Sequence, residues 1–92
     1  MIRTFRDRRT ERFFAGHRVK AFEGFARQAA RRLAVLHAAA SLDDLAKLRS
    51  NRFEYLSGDR AGQCSIRINR QWRICFRSEA DGPHDVQIVD YH

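Results

Sequence analysis

The segment SIRINRQWRICF, residues 65–76, constrains the fold more than any other part of this chain. Apolar residues alternate with polar ones on both sides of a short polar break, which is typical of two half-buried strands joined in a hairpin. The two apolar sets face one core only if the connecting loop is Asn69-Arg70-Gln71, because a shorter loop would mix the two faces. Three apolar pairs are then predicted across the hairpin: Cys64–Phe76, Ile66–Ile74 and Ile68–Trp72.

The same register sets arginines against each other on the opposite face of the sheet. Arg67 lies opposite Arg73, and Arg77 follows Arg73 two residues along the strand. Like charges directly opposite destabilise a ladder by roughly 0.2–1 kcal/mol, so a face that served solubility alone would alternate the signs. This face is therefore a candidate phosphate-binding surface. The alternative is that acidic residues such as Glu54 or Asp90 neutralise the pair.

The first half of the chain has the apolar spacing of helices. Residues 1–5 alternate and can form an edge strand, and Asp7 can cap a short helix after them. Residues 20–39 carry a helical stripe. Ser41 is a candidate N-cap of a brief third helix, with Asp44 in a capping-box position. The stripe of the long helix comprises Phe22, Phe25, Ala26, Ala29, Leu33, Leu36 and Ala40.

The second half of the chain is strand-like. Besides the hairpin, residues 52–56 and 86–90 are candidate strands, whereas residues 57–62 and 79–85 have the composition of loops. The order of a strand, helices and then three or four strands predicts a small α+β domain that spans residues 1–92. We expect N-terminal helices packed on one face of a mostly antiparallel sheet.

The basic residues are almost all arginine. Lys and Arg together number 18 against 11 Asp and Glu, a net charge of +7, and only Lys20 and Lys47 are lysine. Arginine binds phosphate oxygens in bidentate fashion and stacks on bases, so this composition favours a nucleic-acid or ribosome partner. The alternative is a genome biased toward arginine codons together with a need for solubility.

Neither the cysteines nor the histidines have the spacing of a metal site. Cys64 and Cys75 form no CxxC pair and the four histidines are scattered, so we expect no metal and no cofactor. The hairpin register separates the two cysteines onto opposite faces, which predicts two free thiols. The N-terminus is charged from its third residue, and no apolar run approaches the roughly 18 residues of a membrane span. We therefore expect a cytoplasmic protein.

The chain ends in a polar triplet, Asp90-Tyr91-His92, directly after an apolar strand. Strand geometry sends Asp90 and Tyr91 to opposite faces unless the end twists. Histidine has the pKa for acid–base work near neutrality, with Tyr and Asp as possible partners. A polar triplet at a terminus is also typical of a frayed end, so the residues alone leave both interpretations open.

Three segments carry a resemblance to a known family: NRFEYLSGDRAGQCSIRINRQWRICF, the terminal VQIVDYH and the opening MIRTFRDRRTERFF. Together they resemble HigB-type toxins of the RelE/ParE superfamily, also called plasmid maintenance killer proteins, and the GraT-like members look most similar. The resemblance implies a RelE-like, microbial-ribonuclease-like fold. It also implies a metal-independent endoribonuclease that cuts mRNA in the ribosomal A site and inhibits translation. The implied partners are the ribosome and a helix-turn-helix antitoxin of HigA type, which would provide any contact with operator DNA.

The resemblance also assigns roles to individual residues. Arg73 would stabilise charge at the scissile phosphate, and the terminal triplet would supply acid–base and base-stacking groups. The implied catalytic residues are Arg73, Asp90, Tyr91 and His92. The candidate phosphate contacts are Arg67, Arg60, Arg77 and Ser57.

Two positions depart from the pattern of these toxins. Ser57 stands where some relatives have Lys, and Glu54 stands where some have His; Arg60, three residues after Ser57, can supply part of the missing charge. Two alternatives stay open: a ParE-like inhibitor of DNA gyrase, and a weakly active or decayed toxin that only binds RNA or an antitoxin. The terminal triplet favours the nuclease because gyrase inhibition needs no proton-transfer groups.

Overall fold

The computed structural model describes residues 1–90, which form three short helices followed by a four-stranded antiparallel sheet. The helices are α1 (Arg8–Phe14), α2 (Ala26–Ala38) and α3 (Leu42–Lys47). The strands are β1 (Glu54–Tyr55), β2 (Cys64–Arg67), β3 (Trp72–Glu79) and β4 (Gly82–Asp90), and they are arranged in that order across the sheet. The predicted α+β class is confirmed.

The hairpin of β2 and β3 has the predicted register. The N–H of Ile68 donates to the carbonyl of Trp72 over 2.9 Å, which closes the three-residue loop. Within that loop the side-chain oxygen of Asn69 accepts hydrogen bonds from the N–H groups of Gln71 and Trp72, each over 2.8 Å. The paired residues are Cys64 with Phe76, Ser65 with Cys75, Ile66 with Ile74, and Arg67 with Arg73.

One face of the sheet packs on the helices and forms the main core. The ring of Trp72 lies 4.7 Å from that of Phe25 and 5.9 Å from that of Phe22, measured between centroids. Fully burying a phenylalanine side chain stabilises a fold by roughly 1.5–3 kcal/mol. The apolar stripe of residues 22–36 and the hairpin of β2 and β3 therefore hold the helices against the sheet. Fully buried members of this core include Phe22, Leu36, Ile66, Ile74, Phe76 and Ile88.

The predicted caps are present at both short helices. The carboxylate of Asp7 accepts from the N–H of Thr10 over 2.9 Å, and the hydroxyl of Ser41 accepts from the N–H of Asp44 over 3.3 Å. The Asp44 carboxylate accepts from the N–H of Ala40, one residue before the position that a capping box uses. Such caps satisfy backbone donors that the first helical turn leaves unpaired.

The long helix begins later than predicted. Residues Lys20–Phe25 form a 3-10 helix, and α-helical geometry starts only at Ala26. A 3-10 helix brings residues i and i+3 onto the same side, so this segment turns both Phe22 and Phe25 into the core. The buried part of the predicted stripe is confirmed, namely Phe22, Phe25, Ala29, Leu33 and Leu36. The helix type at its start was wrong, and so was its last member, because Ala40 is exposed and lies beyond the end of α2.

The prediction of a loop at residues 79–85 is wrong. β3 continues to Glu79 and β4 starts at Gly82, so only Ala80 and Asp81 form the turn. The N-terminal segment stabilises this hairpin along its outer edge. Its predicted strand is reduced to one parallel bridge, between Phe5 and Val86, flanked by three backbone hydrogen bonds. They run from Arg3 N to Pro83 O, from Val86 N to Thr4 O and from Arg6 N to Val86 O.

Gly82 is the point where this hairpin and the N-terminus approach most closely. Its φ is +129°, and a Cβ atom there would lie 2.4 Å from the carbonyl oxygen of Met1. We expect Gly82→Ala to lower the free energy of unfolding by about 2 kcal/mol, because the backbone is strained and Met1 must move. Gly24→Ala is the control, since nothing lies within 4 Å of its Cβ position. Equal urea midpoints for the two variants would contradict this account.

Candidate active site

The sheet face turned away from the helices carries the predicted arginines. Arg67 and Arg73 are direct cross-strand partners, and Val89 of β4 lies on the other side of Arg73. On the same face, Val89 packs with Cys75 and Leu56 in a small second apolar cluster, which was not predicted from the sequence.

Arg73 is held in place from two sides. Its Nε donates to the hydroxyl of Ser65 over 2.8 Å, and its Nη2 donates to the carbonyl of Arg52 over 2.6 Å. Its side chain is 11% exposed, and Glu54 places a carboxylate oxygen 3.7 Å from Nη2. That separation is longer than a hydrogen bond. A guanidinium has five N–H groups, so donors remain for a phosphate. The alternative that Glu54 offsets the charge of the arginine pair is borne out at Arg73, because the two side chains form an ion pair.

The backbone at Arg52 has an uncommon conformation that serves this arrangement. Its φ and ψ are 47° and 49°, in the left-handed region, and its N–H donates to the carbonyl of Arg49. Such a conformation costs on the order of 1–3 kcal/mol in a residue other than glycine and is common at functional sites. Neither this carbonyl nor the fully buried hydroxyl of Ser65 was identified from the sequence, because both contacts depend on tertiary folding.

Arg67 and Arg60 contribute positive charge to the same face. The Nε of Arg67 donates to the carbonyl of Asn69 over 2.9 Å, and the Nη1 of Arg60 donates to the side-chain oxygen of Gln63 over 3.1 Å. Neither contact uses a carboxylate, so both guanidinium charges stay available. The charges of Arg60 and Arg73 both act to lower the pKa of the Cys75 thiol.

Both cysteines are free, as predicted, and both are buried. Burial raises the pKa of Cys64, and it raises the pKa of Cys75 against the opposing effect of the nearby Arg60 and Arg73 charges. We therefore expect both thiols to stay protonated and unreactive toward a thiol reagent at pH 8. Titration in guanidinium should then release two thiols per chain. Fast labelling of either cysteine in the folded chain would be inconsistent with this environment.

Two predicted phosphate contacts are not brought into this cluster. The Nε of Arg77 donates to Asp85 over 3.1 Å and its Nη1 to Glu79, so two carboxylates offset its charge. It also lies four residues along β3 from Arg73, or about 13 Å at the rise of a strand. Ser57 is exposed at the start of a 3-10 turn, and its side chain makes no capping hydrogen bond.

The terminal triplet is only partly described. Asp90 is the Cα partner of Trp72, whereas Val89 is that of Arg73, so strand alternation places Asp90 on the face opposite Arg73. The Nε2 of Gln71 donates to the Asp90 carboxylate over 2.9 Å, which fixes the end of β4 to the hairpin loop. The predicted catalytic residues Tyr91 and His92 lie outside the described residues.

Within residues 1–90, no helix is long and apolar enough to cross a membrane. The same range contains no group of three or more His, Cys, Asp or Glu side chains that could hold a metal ion. The site described above combines arginines with backbone carbonyls, the Ser65 hydroxyl and the Glu54 carboxylate.

Comparison with known proteins identifies the class to which this fold and arginine face belong. Residues 3–92 match the family described as RelE-like toxin of type II toxin-antitoxin system HigB, and the chain belongs to that family. It is also 47% identical over 47 residues to Toxin HigB-1 of Vibrio cholerae serotype O1. That alignment covers 51% of this chain and 50% of the relative, so it spans about half of each protein. The resemblance noted from the sequence is thereby confirmed.

Proposed function

We propose that this HigB-like toxin is a ribosome-dependent endoribonuclease that cuts mRNA in the A site and so inhibits translation. The observation that carries the proposal is Arg73, a nearly buried guanidinium fixed by Ser65 and Arg52 with N–H donors to spare. A fixed cation on a basic sheet face suits a phosphate whose charge grows during the reaction. Membership of the HigB-like family supports the same reaction class.

The proposed chemistry is attack by a ribose 2′-hydroxyl on the adjacent phosphorus. A bond forms between the 2′-oxygen and phosphorus, and the bond from phosphorus to the 5′-oxygen breaks. The 2′-hydroxyl proton passes to a base on the protein, and an acid on the protein supplies a proton to the departing 5′-oxygen. The products are a 2′,3′-cyclic phosphate and a 5′-hydroxyl. This route needs proton transfer and charge stabilisation but no metal.

The roles that we propose follow from charge and position. Arg73 stabilises the reacting phosphate, and the terminal triplet supplies acid–base and stacking groups, with Tyr91 and His92 as the proton-transfer pair. Asp90 is the third member of the triplet, and its carboxylate accepts a hydrogen bond from Gln71. The proposed flanking phosphate contacts are Arg67, Arg60, Arg77 and Ser57, of which Arg77 and Ser57 contribute least because of their surroundings.

The proposed partners follow from the family and from this reaction. A type II toxin is held inactive by an antitoxin, and we propose a helix-turn-helix protein of HigA type that also makes the contact with operator DNA. Cleavage in the A site requires contact with the 30S subunit, its 16S rRNA and the mRNA, and hence a cytoplasmic location. We propose that residues 1–92 act as one toxin domain in this setting.

A second candidate, a weakly active or decayed toxin, is favoured by one specific observation. Glu54 lies 3.7 Å from Arg73 and reduces the positive charge at the proposed centre. The test compares mRNA cleavage by the native chain with and without programmed ribosomes, beside supercoiling by DNA gyrase. Cleavage only on ribosomes supports the nuclease. Inhibited supercoiling would favour the gyrase alternative, and inactivity in both assays would favour the decayed toxin.

A further inference from the structure

A second basic site lies directly beside Arg73. An open hollow of about 470 Å³ is lined by Arg49, Ser50 and Arg52. Both arginines are exposed and the serine adds a hydroxyl group. Guanidinium and hydroxyl groups are donors to phosphate oxygens, so the chemistry of the lining is that of an anion site.

The hollow is built on a fixed segment of backbone. Asn51 is fully buried, and its Nδ2 donates to the carbonyl of Leu45 over 3.0 Å. From α2, the Nη1 of Arg32 donates to the Asn51 side-chain oxygen over 2.6 Å and to the Ser50 hydroxyl over 3.4 Å. The two arginines of the lining therefore project from a segment that is anchored to α2 and α3, rather than from a free loop.

Within residues 1–90, the arginines around the hollow form no ion pair with a carboxylate. Among the described residues, no carboxylate lies within the 4.0 Å of an ion pair from Arg32, Arg49 or Arg52. Three arginines gathered without an acidic partner repel one another, and an anion in the hollow removes that repulsion.

The hollow and the Arg73 site share a residue. Arg52 lines the hollow with its side chain, and its carbonyl accepts from Arg73. Because the two sites are contiguous, a chain of phosphates fits them better than a single small anion does. We propose that the hollow binds a backbone phosphodiester of the same RNA strand whose scissile phosphate lies at Arg73. This inference rests on the proposed function.

The test measures binding of a short single-stranded 2′-O-methyl oligoribonucleotide, which cannot be cleaved, to the full chain over a range of salt concentrations. Arg49→Gln removes one exposed charge from the hollow. Arg12→Gln removes one from the surface of α1 and is the matched control. We expect Arg49→Gln to weaken binding about fivefold at low salt and to reduce the salt slope by about 0.7, the value for one phosphate contact on a single strand. Arg12→Gln should leave the slope unchanged.

Three results would overturn the proposal. Equal slopes for Arg49→Gln and the native chain would show that the hollow makes no phosphate contact. Equal losses in Arg49→Gln and Arg12→Gln would indicate a general effect of net charge. A loss of affinity for the antitoxin without a loss for RNA would assign the hollow to a protein partner. Failure of the proposed function is distinct, because it appears as absent cleavage by the native chain on ribosomes.

Discussion

Replacing Arg73 with alanine is expected to slow single-turnover mRNA cleavage on the ribosome by about 10²–10³-fold, the usual effect of removing one fixed donor to a developing anion. Arg73 suits this role because Ser65 and the carbonyl of Arg52 hold its guanidinium before any substrate arrives. Its low exposure also limits screening by water. The loss should therefore appear in the rate of cleavage more than in the affinity for ribosomes.

Two matched variants separate charge from geometry at this site. Arg73→Lys keeps the charge but cannot reproduce the fork that joins Ser65 and Arg52, so we expect an intermediate rate. Arg67→Ala removes the facing arginine and should slow cleavage by about tenfold, since we propose that Arg67 holds a flanking phosphate and not the scissile one. Native-like cleavage by Arg73→Ala would contradict the assignment of this residue.

Folding must be checked alongside these rates. Arg73→Ala leaves the Ser65 hydroxyl and the Arg52 carbonyl without this partner, and we expect a loss of stability of about 1–3 kcal/mol. Cleavage is therefore measured at a temperature well below the thermal unfolding midpoint of each variant. A circular dichroism melt of the same samples shows whether the slow variant is folded.

Phe22→Ala is expected to have the largest effect on stability, about 3–5 kcal/mol. Its ring is fully buried and contacts those of Phe13, Phe25 and Trp72, with centroids 5.4 to 5.9 Å apart. The Arg9 guanidinium lies 5.1 Å above it. The free energy of unfolding of a small domain is about 5–15 kcal/mol, so Phe22→Ala removes a large part of it.

The control for Phe22→Ala is Phe53→Ala, which removes the same atoms from a half-buried position. We expect it to lower the free energy of unfolding by less than half as much, because less apolar surface is returned to water. Both values come from urea denaturation followed by tryptophan fluorescence. A similar urea midpoint for Phe22→Ala and Phe53→Ala would show that the 3-10 helix Lys20–Phe25 does not anchor the helices to the sheet.

The hairpin could be predicted because its sequence permits only one register. Ile66, Ile74 and Trp72 reach one core only with the three-residue loop, and Arg67 then faces Arg73 whatever the rest of the chain does. The caps at Asp7 and Ser41 were predictable for a similar reason, since a capping side chain acts within its own helical turn.

The second hairpin was mistaken for a loop because its sequence has the residues of a turn. Asp81, Gly82 and Pro83 disfavour a strand when only local preference is considered. In the structure the N-terminal segment lies along this hairpin, and Arg3 donates to the carbonyl of Pro83. This contact between residues that are distant in sequence outweighs the local preference against a strand. A local sequence pattern does not reveal such a contact.

The site was predicted in part. Its arginine pair follows from the register, but the order of importance among the arginines depends on partners that the fold supplies. Arg73 donates hydrogen bonds to the Ser65 hydroxyl and the Arg52 carbonyl. Arg77 instead pairs with the carboxylates of Glu79 and Asp85 in the hairpin of β3 and β4. Asp85 reaches that position with a φ of 53°, an irregularity that the sequence alone does not indicate.

The most direct test of the central claim is mRNA cleavage on programmed ribosomes by the native chain and by a variant that ends at Asp90. We expect the native chain to cut in the A site and to leave a 2′,3′-cyclic phosphate. The shortened variant, folded to the same extent, should bind ribosomes without cutting. Equal cleavage by the two chains, or product ends without a cyclic phosphate, would contradict proton transfer by Tyr91 and His92 beside a phosphate held at Arg73.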